Sequence, residues 1–137
     1  MPTMTDQPTE SLSVEVRLVE PLLGFDEFVA FELSDIDPAG ILVSMRSRQD
    51  PALRFVLTRP EHFFADYQPE LAPVVVEAVG AADPSKVQVF VILTILTGLA
   101  DATANTRAPL IVSPDTGLAL QVVLDDESLS MNRPLVA

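Results

Sequence analysis

The chain of 137 residues contains no cysteine, no tryptophan and a single histidine. Without cysteine the protein has no disulfide, no thiol nucleophile and no thiolate ligand for zinc or an iron–sulfur cluster. The one histidine, His62, has no second histidine to complete a zinc site, and a lone imidazole is most often structural. We therefore predict no metal, no cofactor and no catalytic residue.

The sequence also lacks a long apolar run and a basic N-terminal start. Its most apolar stretch, residues 87–100, is shorter than the roughly 20 residues that a transmembrane helix needs. The first dozen residues have neither the cationic start nor the apolar stretch of a signal peptide. We predict a cytoplasmic protein that does not bind membranes, with a flexible N-terminal tail over residues 1–12 and a single domain over residues 13–137.

Basic residues are scarce, since 8 Lys and Arg stand against 20 Asp and Glu and give a formal net charge of −12 at pH 7. Phosphate backbones are bound largely through Lys and Arg, so direct binding of nucleic acid is disfavoured. An acidic surface attracts basic proteins, which favours a basic protein partner. The alternative is that the acidity only keeps the protein soluble, and the charge alone does not separate the two.

Alternation of apolar and polar residues is the most frequent pattern in the chain. Four segments place apolar side chains at every second position, as a half-buried strand requires. Their apolar sets are Val14, Val16 and Leu18; Ile41, Val43 and Met45; Leu53, Phe55 and Leu57; and Leu118, Leu120, Val122 and Leu124. Residues 28–33 and 87–96 are almost continuously apolar, which predicts strands covered on both faces. Because most of the 12 prolines lie between these segments, we predict a mainly β fold.

One or two short helices complete the expected fold. Pro73 suits the first position of a helix and Gly80 suits its C-terminal cap, with Val75 and Val79 on one side. A second helix, of one turn, is expected around His62.

The tripeptide Asp115-Thr116-Gly117 has two interpretations. Aspartic proteases carry their catalytic carboxylate in this tripeptide, and two such Asp residues share one proton. On this interpretation the chain is a homodimeric hydrolase acting through Asp115. The alternative, which we favour, is a type I turn, because Pro114 precedes the tripeptide and apolar strands flank it.

Two further clusters suggest binding more than chemistry. The run of Asp125, Asp126 and Glu127 lacks the spaced oxygens and the glycine of a calcium loop, so we interpret it as a solvated acidic edge after a strand. Adjacent Phe63 and Phe64 cannot easily both face one core, and an exposed ring would suit an anchor for a partner. Alternatively, both rings fold under the loop as a satellite cluster.

Four blocks of sequence share their order and spacing with a known family. They are Leu23-Gly24-Phe25 followed by residues 28–33; residues 55–60 running into Phe63-Phe64-Ala65-Asp66-Tyr67; Thr103-Ala104-Asn105-Thr106-Arg107-Ala108-Pro109 running into residues 110–112; and residues 121–126 with Pro134-Leu135 after them. The second and third blocks are the most specific. In these blocks the chain resembles the FliW family of flagellar assembly factors. It departs from the family pattern at Thr106, where an apolar side chain is common.

The resemblance implies a single-domain, antiparallel β-barrel-like fold with little helix. It also implies a monomer without enzymatic activity that binds flagellin and the RNA-binding repressor CsrA, and that sequesters CsrA allosterically so that translation of flagellin resumes. The predicted partner-binding residues are Phe64, Asp66, Tyr67, Thr103 and Asn105, with an electrostatic contribution from Asp125, Asp126 and Glu127. Asn105 has a second interpretation, in which its amide caps the loop before Pro109. The alternatives to this function are the hydrolase acting through Asp115 and a purely structural subunit.

Overall fold

The structure, a computed structural model, describes residues 13–22 and 24–135. Within these residues, nine strands form one sheet. They are β1 (Ser13–Leu18), β2 (Ala30–Asp35), β3 (Leu42–Ser47), β4 (Arg54–Thr58), β5 (Gln88–Thr94), β6 (Thr103–Ala104), β7 (Leu110–Ser113), β8 (Leu118–Gln121) and β9 (Arg133–Pro134). One α-helix, α1 (Pro73–Ala78), and three 3-10 helices (Pro60–His62, Pro84–Lys86 and Leu99–Asp101) connect them. The mainly β prediction is confirmed, while the predicted tail at residues 1–12 lies outside the described residues.

Seven of these strands close into a barrel in the order β1, β2, β3, β4, β5, β7 and β8, with β8 returning to β1. Six of the contacts are antiparallel, whereas β8 runs parallel to β1 and pairs Leu118 with Arg17. A closed ring in which all neighbours are antiparallel must have an even number of strands. A ring of seven therefore needs one parallel contact, and the antiparallel barrel is as predicted except at this one contact.

The barrel interior is filled by side chains that alternate inward along the strands. Val43 and Met45 of β3 are buried there, as the period of two in the sequence predicted, and so are Phe31 and Leu33 of β2. The largest members are Phe31, Phe90, Met45, Leu57 and Leu110, each at most 1% exposed. Burial of these side chains supplies the main driving force for folding.

A second apolar cluster, the helix cluster, lies outside the barrel beneath α1. Pro73 begins the helix and Gly80, with a φ of +74°, follows its end, as predicted. Val75 and Val79 pack against Ile111 of β7. The helix has six residues, and no helix within the described residues is long and apolar enough to cross a bilayer.

A third cluster, the loop cluster, covers the outer face of β5. The short strand β6 pairs with the end of β5, and β9 pairs with β6. Val91 and Leu93 are buried on this outer face against Phe64 and Tyr67, while Phe90 points into the barrel. The continuously apolar run of β5 is therefore covered on both faces, as its sequence predicted. The same prediction for residues 28–33 is wrong, because β2 begins at Ala30 and turns Phe31 and Leu33 inward while the charged Glu32 faces outward.

The outer face of β1 and β2, together with the Arg46 and Arg54 ends of β3 and β4, is polar, and we call it the uncovered face. At the other ends of β3 and β4, Leu42 and Val56 pack in the loop cluster. Glu15, Glu32, Arg46 and Arg54 are register partners across these four strands. Arg48 lies 3.8 Å from carboxylate oxygens of Glu15 and Glu32. Among these register pairs, Glu32 and Arg46 join opposite charges, which stabilises a sheet modestly. Charged side chains of this kind are solvated, so this face needs no apolar cover.

Strand β8 differs from its prediction at one end. The alternation continues to Leu124, but the strand ends at Gln121. Leu118 and Leu120 share one face as predicted, and it is the outer face beneath α1, whereas Ala119 points into the barrel. The chain beyond Gln121 is available to form part of a surface site.

Candidate functional site

A groove with a volume of about 580 Å³ lies where the helix cluster meets the loop cluster. It is lined by residues 66–70, Ala72, Val75, residues 122–126, Leu129 and Arg133. We call it the acidic groove, because Asp66, Glu70, Asp125 and Asp126 are among its lining residues. Four of the predicted partner-binding residues, namely Asp66, Tyr67, Asp125 and Asp126, therefore meet at one place although they come from two distant segments of the chain.

One wall of the groove begins at the turn after β4. Pro60 starts a 3-10 helix, and the N–H of Phe64 donates to the Pro60 carbonyl at 2.8 Å. Phe64 is 3% exposed and Tyr67 8% exposed, and Phe63 packs partly buried in the same cluster. The two phenylalanines thus form a satellite cluster under the loop, the second of the two interpretations above. Phe64 and Tyr67 support the wall from beneath, and Asp66 is exposed on it.

Tyr67 fastens this wall to the loop between β6 and β7. Its hydroxyl donates to the Thr106 carbonyl at 2.7 Å. Burial raises the pKa of Tyr67 to about 12, because the phenolate form would lose its hydration. Thr106, at the departure from the family pattern, is itself fully buried, and its hydroxyl donates to the Ser130 carbonyl at 2.7 Å. The polar side chain is accommodated there because it is hydrogen-bonded.

Arg133 of β9 is a groove residue that the sequence analysis missed. Its guanidinium carbon lies 4.0 Å from the centroid of the Phe64 ring, and its Nη2 donates to Oδ1 of Asp66 at 3.1 Å. This hydrogen bond from Arg133 lowers the pKa of Asp66. Stacking on the ring holds the planar guanidinium with its donors toward the carboxylate. In a single sequence Arg133 is recognisable only as a cation before Pro134, and no pattern in the sequence indicates that it contacts Asp66.

The opposite wall is the extended segment that follows β8. The N–H groups of Val122 and Leu124 donate to the carbonyls of Pro109 and Arg107 at 3.0 and 2.8 Å. These bonds continue the pairing of β8 with the chain before β7. Val123, between the two donors, is 66% exposed and is among the residues that line the groove.

The acidic run lies at the end of this segment. Asp125, Asp126 and Glu127 are all exposed, which confirms the solvated acidic edge. Asp126 accepts hydrogen bonds from the hydroxyl and the N–H of Ser128, and these bonds lower the pKa of Asp126. Glu127 is not among the residues that line the groove. Across the part of the chain that the structure describes, no group of histidine and acidic side chains is arranged to hold a metal ion.

Thr103 and Asn105 lie outside the groove lining. Thr103 belongs to β6 and is the register partner of Thr94 on one side and of Pro134 on the other. The side-chain oxygen of Asn105 accepts the N–H of Ala108 at 3.1 Å, so the loop-capping interpretation of Asn105 is confirmed. Contact of either residue with a partner stays a prediction.

Asp115 lies on the exposed hairpin between β7 and β8. The N–H of Gly117, which has a φ of +74°, donates to the Ser113 carbonyl at 2.8 Å. The hydroxyl of Thr116 donates to the Val79 carbonyl at 2.6 Å and ties the hairpin to the end of α1. The tripeptide therefore forms a turn, as we favoured.

The charges that line the groove are unbalanced. Its one lining cation, Arg133, is already bound to Asp66, so Glu70 and Asp125 have no lining cation of their own, while Asp126 interacts with Arg107, which does not line the groove. Apolar side chains such as Val123 lie among these carboxylates. Such a surface suits a partner that presents cations beside apolar side chains.

The fold and the groove together define a small β-barrel protein with an acidic groove on its surface. The model of the FliW protein family matches residues 3–135. The flagellar assembly factor FliW of Symbiobacterium thermophilum is 34% identical over 115 residues, which cover 83% of each chain. The flagellar assembly factor FliW of Treponema pallidum is 30% identical over 135 residues, or 98% of this chain and 89% of that one.

A solved structure agrees with these sequence relatives. A crystal structure of the flagellar assembly factor FliW matches with a TM-score of 0.81 at 26% identity, over 98% of this chain and 91% of that chain. The chain belongs to the FliW family, and the resemblance found in the four blocks is confirmed.

Proposed function

We propose that this chain is a cytoplasmic regulator that binds flagellin and the translational repressor CsrA. In the proposed cycle the protein is occupied while flagellin accumulates, and export of flagellin releases it. The released protein then sequesters CsrA allosterically, and translation of flagellin resumes. The name shared by its relatives, flagellar assembly factor, supports a role in flagellar biogenesis.

The acidic groove is the observation that carries this proposal. An RNA-binding repressor must present basic surface to phosphate, and a protein of net charge −12 both attracts such a surface and repels RNA from it. Glu70, Asp125 and Asp126 concentrate that charge beside the exposed Val123. Binding of this kind uses shape and charge without a reaction centre, so we propose that the protein is not an enzyme.

Co-purification with each partner tests the proposal. Tagged protein is expected to retain CsrA and flagellin at low salt. Retention of CsrA is expected to weaken as salt is added, because screening limits the range of surface charges to roughly 10 Å at 0.1 M salt. Retention of neither partner at low salt would contradict the proposal.

A pair of double variants assigns the binding of CsrA to the groove. Glu70→Gln with Asp125→Asn removes two groove carboxylates, whereas Glu77→Gln with Asp115→Asn removes two exposed carboxylates that do not line it. Both variants carry the same net charge. The groove variant is expected to bind CsrA about tenfold more weakly while the control binds nearly as the wild type does. A pepstatin-sensitive activity that Asp115→Asn abolishes would instead favour the hydrolase.

A further inference from the structure

The hydrogen bonds between β1 and β8 stop at a proline. The N–H groups of Arg17 and Val19 donate to the carbonyls of Gly117 and Ala119, each at 2.8 Å. In a parallel ladder every second residue of β1 donates in this direction, so the next donor would be residue 21. Residue 21 is Pro21, which has no N–H. The pairing therefore ends, and β1 leaves the edge of β8 beyond Ala119.

Beyond this point the chain from Gln121 to Asp125 has one paired edge and one open edge. The N–H groups of Val122 and Leu124 point toward the chain before β7, where they are bonded. Those of Gln121 and Val123 point the opposite way, because successive residues of an extended chain alternate in direction. Within residues 13–22 and 24–135, no strand pairs with this second edge. We call it the open edge.

An open edge is a place where an extended segment of another protein can add as an extra strand. The charges near this edge are mostly negative: Glu20 lies where β1 departs, and Asp125, Asp126 and Glu127 lie at the far end, all of them exposed. Arg107 lies on the paired side of the segment and interacts with Asp126. Proteins use such charges to prevent indiscriminate pairing of edges. The same carboxylates favour binding of a basic strand over a neutral or acidic one, so they make the edge selective.

We propose that the open edge binds an extended segment of a partner protein in which lysine or arginine alternates with apolar residues. The main-chain groups of Gln121 and Val123 bond to the incoming strand, which becomes the neighbour that β1 does not provide. Its apolar side chains pack beside Val123, and its cations face the carboxylates of Asp125 and Glu127. The inference depends on the proposed function only for the identity of the partner that carries this segment.

Synthetic peptides test the proposal on the full-length, nitrogen-15-labelled protein. One peptide alternates Lys and Val, and its matched control alternates Glu and Val. We expect the Lys–Val peptide to shift the amide signals of Gln121 and Val123, to slow their hydrogen exchange, and to bind at least about tenfold more tightly than the control. In the unliganded protein these two amides are expected to exchange fast.

Removal of the main-chain donors separates strand addition from simple charge attraction. N-methylation of the alternate peptide residues that face the edge is expected to weaken binding about tenfold, whereas methylation of the other set has little effect. On the protein, Val123→Pro removes an N–H that faces the open edge and is expected to abolish binding, while Val123→Ala keeps that N–H and retains binding.

The proposal would be overturned if the amides of Gln121 and Val123 exchanged slowly in the unliganded protein, or if the Lys–Val peptide did not bind. It would also be overturned if the peptide slowed exchange only at other amides, or if methylation of either set of peptide residues weakened binding equally. The peptide measurements do not depend on Val123→Pro being folded. Failure of the proposed function looks different, because CsrA and flagellin would both fail to bind while the peptide results stand.

Discussion

The two sides of the barrel differ in what their outward side chains require. On the uncovered face the outward residues include Glu32 and Arg46, which are charged register partners and can remain in contact with water. On the opposite side the outward residues include Val91, Leu93 and Ile111, which must be buried. The chain therefore supplies α1, the loop before it and the strands β6 and β9 as covers. The acidic groove forms where these covers meet, so the candidate site is a consequence of having to bury that side.

The largest effect is expected on the covered side. Phe64→Ala removes a ring that is 3% exposed, and the cavity left behind should lower the free energy of unfolding by about 3–5 kcal/mol. Arg46→Ala, at an exposed position of the uncovered face, should change it by no more than about 0.5 kcal/mol. Urea denaturation followed by circular dichroism measures both. Equal losses would show that the two sides do not differ in this way.

The second-largest effect is expected at alkaline pH, where ionisation of Tyr67 should lower the free energy of unfolding. Burial raises the pKa of Tyr67 from 10.0 to about 12, so the folded protein holds this proton more tightly than the unfolded chain does. The resulting stabilisation is fully present below pH 10 and is lost as the pH rises through about 12. Tyr67 is the only tyrosine and tryptophan is absent, so tyrosinate absorbance reports this residue alone. A midpoint near 10 in the folded protein would contradict the burial argument.

Tyr67→Phe should have a smaller effect than Phe64→Ala. It keeps the ring but removes the donor to the Thr106 carbonyl, and we expect a loss of about 1–2 kcal/mol in the free energy of unfolding. The same variant should abolish the alkaline loss of stability. An unchanged free energy of unfolding in urea would show that this hydroxyl does not fasten the wall.

Arg133→Gln should have the smallest effect on stability. The hydrogen bond from Arg133 lowers the pKa of Asp66, so its removal should raise that pKa toward the usual 3.8. Because the pKa is lowered in the folded state, the pair stabilises the protein above the ordinary pKa, and this contribution fades as the pH falls. Carboxyl titration by NMR measures the change, and Arg48→Gln on the uncovered face serves as the control. An Asp66 pKa that does not respond to Arg133→Gln would remove Arg133 from the site.

Features governed by local rules could be predicted from the sequence. The alternation of Val43 and Met45 follows from the pleat of a strand, and Pro73 and Gly80 mark the ends of α1 by their backbone preferences. The parallel contact between β1 and β8 is different. It depends on the number of strands in the closed ring, and no local pattern near Arg17 records that number.

In the candidate site, too, some features follow from local sequence and others depend on the whole fold. Asp66 and Asp125 could be singled out as acidic residues in recognisable blocks, but their meeting in one groove depends on how two covers pack together. Arg133 and Glu70 were missed because their importance comes from neighbours distant in sequence. The burial of Phe64 could be named only as one of two interpretations, since either arrangement suits adjacent phenylalanines.

Hydrogen–deuterium exchange of the full chain with and without CsrA compares both sides of the barrel in one experiment. We predict slower exchange in residues 66–72 and 121–126 when CsrA is added, with exchange in β2 and β3 unchanged. Slower exchange in β2 and β3, with no change at the groove, would place recognition on the uncovered face and contradict this account.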